Sequence, residues 1–405
     1  MTSRSAPLAA GVATACLVGV ASATAWRDGS PLVPREGGLA EQGTARLFLV
    51  LVAAAFVAYL AGLVLLRRRA VALRAAILVA AGVQLVPLAA PLLLSTDAWT
   101  YWGYGWIAAV GDGNPYVDPP SAFPESPAAP YLGADWRDTT SVYGPAFTLL
   151  SEPVARIAGS SADAAAWLFK SLAALAVLVA TVAVSRSSRR PALAAAFVGW
   201  NPVLAIHAGG GGHNDALVGA LVATAVALGV HRRSSSSGAV WALAALFKWV
   251  PLVFFALAAL GARARGRSTG TLALVATLVV AGAVATLRYG LHWVGALGPL
   301  AENAVRRTSY ALPSRLEQVG LPHGVALGIA FALLAAGLAW LARDALAGRA
   351  RLGTAACLVL ATTPYLAVWY LAWAVPLAAP EDDDRLARLA ALGLTAYLLP
   401  QTIPL

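Results

Sequence analysis

The residues best suited to chemistry gather in a few short motifs. Asp97 stands in Ser95-Thr96-Asp97-Ala98-Trp99-Thr100-Tyr101-Trp102, directly after an apolar stretch. A carboxylate at the mouth of a helix bundle, fenced by aromatic rings, can stay ionised, have its proton affinity tuned by partial burial and serve as a general base. The alternative is that Asp97 caps an interfacial helix and the rings form an ordinary aromatic belt. The same polar connection holds Gly113-Asn114-Pro115-Tyr116 and Ser141-Val142-Tyr143-Gly144-Pro145-Ala146. Their glycines and prolines set turns, while Trp99, Tyr101 and Tyr143 can stack on sugar rings or lie at the interface.

Farther along, Trp200-Asn201-Pro202 precedes His207, the run Gly209 to Gly212, and His213-Asn214-Asp215. A glycine run before a helix offers backbone N–H groups, and an imidazole adds a donor, so an anion could bind there. A tight turn with Asn214 or Asp215 capping the next helix is the simpler alternative. Lys170 and Lys248 are the only lysines, each inside an apolar stretch. An ionisable group in lipid costs about 3 kcal/mol unless it is paired or lines a wet cavity, so Lys248, in Phe247-Lys248-Trp249-Val250-Pro251, is expected to meet a partner such as a lipid phosphate. Lys170, about two turns inside its helix, is expected to snorkel outward or to pair with Asp163. Arg306, Arg307 and Arg315 lie in an outer loop, where positive charge is normally depleted. Arginines fit phosphate bidentately, although a solvated loop or attraction to anionic lipid heads accounts for them equally well.

The elements that must position these groups are membrane helices. Of 405 residues, 59% are hydrophobic and only 12% charged, with a mean hydropathy of +0.71. Such a chain cannot bury its apolar surface in one water-soluble core, and a backbone in lipid must satisfy its own hydrogen bonds. The expectation is one all-α domain over 1–405, a polytopic transmembrane bundle of about 11–13 helices. Apolar stretches run near 7–25, 45–66, 72–94, 162–184, 191–207, 214–230, 237–260, 269–287, 322–342, 352–379 and 386–400. Pro251 interrupts one and Pro364 and Pro376 another, so each is expected to be two short helices or a re-entrant pair. The first stretch, followed by Ala23-Thr24-Ala25, reads as a retained helix in preference to a cleaved signal peptide.

Net charge is +10, but the arginines cluster between apolar stretches, at Arg67 to Arg69 with Arg74, Arg186 to Arg190, His231-Arg232-Arg233, Arg263 to Arg267, Arg343 to Arg351 and Arg385 to Arg388. Placing those clusters on the cytoplasmic side is self-consistent and makes nucleic acid an unneeded partner. Two long connections then face outward, 95–161 and 288–321. The first is too aromatic for a linker. Cys16 and Cys357, both in apolar stretches, support neither a disulfide framework nor a cysteine metal site. No internal repeat of the transporter kind stands out.

From about residue 90 to 379 the motifs Ser95-Thr96-Asp97, Gly113-Asn114-Pro115-Tyr116, Tyr143-Gly144-Pro145, Trp200-Asn201-Pro202, His213-Asn214-Asp215-Ala216, Phe247-Lys248 and Trp369-Tyr370-Leu371-Ala372-Trp373 come in a fixed order. Together they resemble the GT-C class of membrane glycosyltransferases, and most of all the actinobacterial polyprenol-phosphate-mannose-dependent mannosyltransferases that build lipoglycan mannan. The resemblance implies a multi-pass plasma-membrane enzyme acting on the extracytoplasmic face, with a polyprenyl-phosphate sugar as donor and a glycan or glycolipid as acceptor, and without a metal or other cofactor. It implies inversion with Asp97 as base. Lys248, Arg306, Arg307 and His213 would bind the donor phosphate, and Trp99, Tyr101, Tyr143, His207, Asn214, Asp215, Trp369 and Tyr370 would line the substrate site. Against that family the sequence reads as shorter than the best-known mannan polymerases and without an obvious extra C-terminal domain, a departure that leaves the acceptor open. An arabinofuranosyltransferase of the same class, a lipid-linked sugar flippase or transporter, and a scaffold protein of a cell-wall complex are the other readings. The enzyme reading requires Asp97 and Lys248 to lie within the span of one sugar phosphate.

Overall fold

The computed structural model describes residues 5–34, 42–296, 307–380 and 385–403; among these, helices are the only regular elements. Five are long and apolar enough to cross a membrane: Ala6–Trp26, Gln42–Arg68, Ala162–Ser187, Thr271–Ala296 and His323–Leu346. Pro191–Gly199 and Pro202–Gly210 form a bent apolar pair, a broken span or a re-entrant loop, whose two helices meet at 49°. The bend has a local cause. Asn201 adopts an extended conformation and its side-chain oxygen accepts the N–H groups of Val203 and Leu204, while Pro202 begins the next turn. The remaining apolar helices, among them Leu73–Ala89, Asp215–Val230, Ser234–Phe247, Pro251–Ala264 and Leu352–Thr362, are shorter. A 14-residue helix rises only about 21 Å, less than the roughly 30 Å of hydrocarbon. The protein is a multi-pass membrane protein of all-α architecture, built from full spans and shorter helices that end inside the bundle.

Both proline-interrupted stretches are broken as expected. Ser234–Phe247 and Pro251–Ala264 meet at Lys248, with Pro251 as the first residue of the second helix. The other stretch breaks after Thr362, and a turn at Val368–Tyr370 starts Leu371–Ala378. Pro376 is not a break point; it sits inside that last helix.

The bundle packs around the bent pair. Trp200 is fully buried and donates its ring N–H to the Ala76 carbonyl at 2.9 Å. Tyr59 donates to the Phe197 carbonyl and Gln84 to that of Gly199. Such bonds join the second and third helices to the bent pair where no water could satisfy the groups. Lys170 is 2% exposed. It neither snorkels nor pairs with Asp163: its ammonium donates to the carbonyls of Ala90, Pro91 and Leu88, which the 3₁₀ turn ending the third helix leaves unpaired.

The 95–161 connection is a folded cap. Its helix Asp97–Ala109 lies against Pro145–Ala158 so closely that a Cβ at Gly105 would strike the Ser151 carbonyl. Tyr101 packs edge-on against Tyr143, Phe147 and Phe169, and Tyr104 donates to the Thr139 carbonyl at 2.7 Å. Asn114 shapes its own turn by accepting the Tyr116 N–H and ties the cap to the second outer connection by donating to the Tyr289 carbonyl. The Gly113-Asn114-Pro115-Tyr116 motif therefore holds loops in place.

Candidate active site

Asp97 is the first residue of its helix, and it does not cap it. Its N–H donates to the Ser95 hydroxyl, while its carboxylate turns inward. Oδ2 lies 3.1 Å from His213 Nδ1 and accepts the Tyr101 hydroxyl at 3.3 Å, the one-turn spacing placing Tyr101 beneath it. The Tyr101 oxygen in turn accepts the Asn214 N–H at 3.4 Å. Burial pushes the Asp97 carboxyl upward, but the His213 hydrogen bond and charge, the Lys248 charge and the Ser95 hydroxyl together outweigh it and hold the group below the usual carboxylate value. Burial, and then the Asp97 and Asp215 charges, push the Tyr101 hydroxyl well above its ordinary value, so it remains a donor.

His213 reaches Asp97 because the chain before it winds loosely. Residues Ile206–Gly210 form a π-turn, and Gly212 adopts φ +70° with Ala98 and the Lys170 backbone close by. The glycine run is not an anion cradle. The N–H groups of Gly211, Gly212 and His213 are spent on the carbonyls of Ile206, Ala208 and His207, and a Cβ at Gly209 or Gly210 would collide with Gln84 or Leu93. The glycines are there for close packing. The His213 ring stacks on Trp369 at 4.0 Å and 11°, and His207 lies 5.6 Å from it. His213 Nε2, both ring nitrogens of His207 and both side-chain polar atoms of Asn214 are buried without a protein partner.

The partner of Lys248 is Asp215. The ammonium donates to both carboxylate oxygens, at 2.7 and 2.8 Å, so the Asp215 side chain serves as the lysine's counter-ion and not as a cap, and no lipid phosphate is needed to neutralise the lysine. Lys248 reaches it because it leaves the helix in an extended conformation. The pair is buried on the Asp215 side, whereas the lysine side chain keeps 20% of its surface exposed beneath the rings of Tyr143, Tyr370 and Trp373, which lie 5.5–5.9 Å from its nitrogen. Two glycines allow this convergence. At Gly144 any Cβ would strike the Leu246 carbonyl, and its N–H donates to Phe247, which sets Tyr143 against the lysine tip. At Gly219 any Cβ would strike the Ala372 carbonyl, so the Asp215 helix can touch the segment carrying Trp369, Tyr370 and Trp373.

Asp97 and Lys248 thus line one cavity of about 230 Å³, walled by Tyr143, Trp369, Tyr370 and Trp373. It offers an ionised carboxylate oriented by two hydrogen bonds, a lysine held by a carboxylate, and stacked rings suited to the faces of a sugar. No group of three or more His, Cys, Asp or Glu side chains among the described residues could hold a metal ion. Other expected residues lie elsewhere. Trp99 turns away, donates to the Ala162 carbonyl and lines a different cavity. Arg307 is bound to Glu317 at 2.8 Å on an exposed surface, and Arg315 to Tyr397 and Gln318. Arg306 lies outside the described residues. Trp373 was legible in the sequence: it follows Trp369 by four positions and Tyr370 by three, and the Tyr370 and Trp373 rings stack at 4.3 Å. Trp136 and Tyr365, also at this cavity, carry no such signal.

No solved structure matches the chain significantly. It is 30% identical over 172 residues to alpha-(1->6)-mannopyranosyltransferase A of Corynebacterium glutamicum, a match covering 41% of this chain and 34% of that protein. It is 27% identical over 358 residues to alpha-(1->6)-mannopyranosyltransferase A of Mycobacterium tuberculosis, covering 76% of this chain and 67% of the relative. Residues 8–264, the stretch that carries Asp97, His213, Asp215 and Lys248, match the sequence model of the alpha-(1->6)-mannopyranosyltransferase N-terminal domain, and the chain belongs to that family.

Proposed function

We propose that this protein transfers a mannosyl unit from a polyprenyl phosphate to a glycan or glycolipid acceptor on the outer membrane face, with inversion at the anomeric carbon. The observation that carries the reading is the Asp97 carboxylate and the Lys248 ammonium lining one aromatic cavity with room for a single sugar ring. In this reading the acceptor hydroxyl oxygen attacks the anomeric carbon while Asp97 takes its proton. The bond from that carbon to the phosphate oxygen breaks, and its electron pair leaves with the polyprenyl phosphate. The step balances without a metal. His213 and Tyr101 aim the base. Two of the three Lys248 N–H groups are held by Asp215, which leaves the third for the departing phosphate oxygen. A donor fixed before the charge develops is worth several kcal/mol in such a site. The arginine clusters assign the opposite ends of the helices to the cytoplasm, which supports chemistry on the outer face. Inversion to an α-product, the linkage in the relatives' names, requires a β-linked donor.

The test is transfer by the purified protein from β-linked polyprenyl-phosphate mannose, comparing the wild type with Asp97→Asn. The variant should lose about 10²- to 10⁴-fold in rate. Full retention would remove Asp97 as base, and a wild type that carries lipid-linked sugar across vesicles without transferring it would remove the enzyme reading.

A further inference from the structure

The end of the bundle opposite the candidate active site carries a groove that the proposed reaction leaves unused. The helix Asp215–Val230 starts at the Lys248 partner and ends, about 24 Å away, at His231. Beside that far end a groove of about 1060 Å³ runs between this helix and Ala162–Ser187. Helical spacing makes its walls. Leu175, Leu178, Val179, Val182 and Arg186 recur every three or four residues and share one face of their helix, and Thr224, Ala227, Leu228 and His231 share one face of the other. Leu175 and Val179 are 54% and 52% exposed along a helix long enough to cross the membrane, as residues that meet lipid are. From Leu175 to Arg186 the helix rises about 16 Å, the depth of one leaflet of hydrocarbon.

The groove ends in cations. Arg186 lies in the last turn of its helix, and the His231 ring N–H donates to the Arg186 carbonyl at 3.1 Å, which fastens the two helix ends together. Arg232 then takes a left-handed conformation, φ +59°, uncommon for a residue with a side chain, and the Arg233 N–H donates back to the Leu228 carbonyl, so Arg233 returns to the groove. The helix dipole accounts for Arg186 and His231 at C-terminal ends, and topology for cations anywhere in this turn. Neither brings three of them to the mouth of one apolar groove. Arg233 is the N-cap of Ser234–Phe247, where a cation opposes the dipole. Among the described residues no carboxylate lines the groove.

We infer that this groove binds one anionic phospholipid of the leaflet remote from the candidate active site, with an acyl chain along the apolar walls and the phosphate between Arg186 and Arg233. By the arginine distribution that leaflet is the cytoplasmic one. An apolar wall one leaflet deep fits a hydrocarbon tail, and cations without a neighbouring carboxylate call for a head of net negative charge. A zwitterionic lipid brings its own ammonium and satisfies them less well. Once bound, the lipid ties together two helices, one of which presents Asp215 to Lys248 at its other end.

The test is lipid binding to the full chain, delipidated in detergent and followed by native mass spectrometry, with dioleoyl phosphatidylglycerol, dioleoyl phosphatidylcholine and inorganic phosphate as probes. One phosphatidylglycerol should bind about fivefold or more tightly than phosphatidylcholine, and the double variant Arg186→Gln with Arg233→Gln should weaken it about 30-fold, roughly fivefold for each arginine. Arg263→Gln removes a cation from the same end but outside the groove and should leave binding unchanged. Val179→Trp keeps every charge and sets a ring in the path of the acyl chain, so it should weaken phosphatidylglycerol as well. Equal weakening by Arg263→Gln would reduce the effect to diffuse surface attraction and overturn the inference. Binding of phosphate alone with Val179→Trp silent, equal affinity for the two phospholipids, or displacement of phosphatidylglycerol by a lower concentration of polyprenyl phosphate would each overturn it too. Should the double arginine variant fail to fold, Val179→Trp and the comparison of the two phospholipids decide.

Discussion

The two lysines of this chain sit in matched surroundings and are held in different ways. Both lie in apolar stretches, and both are relieved of the cost of a buried charge. Lys170 is relieved by three carbonyls left over at a helix end, and is 2% exposed at the wall of the cavity that Trp99 lines, with its N–H groups spent on the backbone. Lys248 is relieved by a carboxylate 33 residues away in sequence, and keeps one face toward a cavity. A buried cation spent on backbone carbonyls is a staple between elements. A buried cation held by a side chain at a cavity wall is a preorganised donor.

That contrast can be broken most directly at Lys248. Lys248→Met leaves Asp215 buried and unpaired, which should cost about 3–5 kcal/mol of stability and also abolish transfer. Adding Asp215→Asn should recover most of the melting temperature and none of the activity. Recovery of both would make the pair purely structural. Lys170→Met should come next, costing about 1–3 kcal/mol as buried carbonyls lose their donor, with turnover per folded molecule reduced by less than in Lys248→Met. A loss of turnover at an unchanged melting temperature would move Lys170 into the site.

Gly219→Ala sharpens the same contrast, since it pushes the Ala372 segment away from the Asp215 helix. It should cost about 1–3 kcal/mol and weaken turnover more than melting, whereas Gly11→Ala, distant from the site against Trp200, should affect melting alone. The smallest effect is expected from His213→Phe, which keeps a ring on Trp369 but removes the nitrogen beside Asp97. In the wild type Asp97 is held below the usual carboxylate value, so the base function proposed for it and its stabilising contribution are present above that range and fail only as pH falls through the lowered value. Without His213 the burial effect is less opposed. The acid limb of the rate profile should therefore move to higher pH, and an unmoved limb would show that His213 does not act on Asp97.

The sequence was informative where the physics is local. Hydropathy located the helices because each must satisfy its backbone within itself, and Pro251 marked a break because it removes an N–H. Asp97 stood out because a carboxylate at a span's end among aromatic rings is unusual. The glycine run misled for a local reason as well: glycines free N–H groups for an anion only if the backbone does not use them, and here a π-turn does. Trp99 misled because helical spacing sends it to the far side of the helix from Asp97 and Tyr101.

Composition and pattern alone therefore determined a multi-pass helical protein, the breaks at Pro251 and near Pro364 but not the bend at Pro202, and an acidic, aromatic motif at the mouth of the bundle. The tertiary structure decided that Lys248 belongs to Asp215 and that His213 belongs to Asp97. Those relations join groups 33 and 116 residues apart. They depend on helices packed to the contact distance of a glycine, and no spacing along the chain encodes that distance.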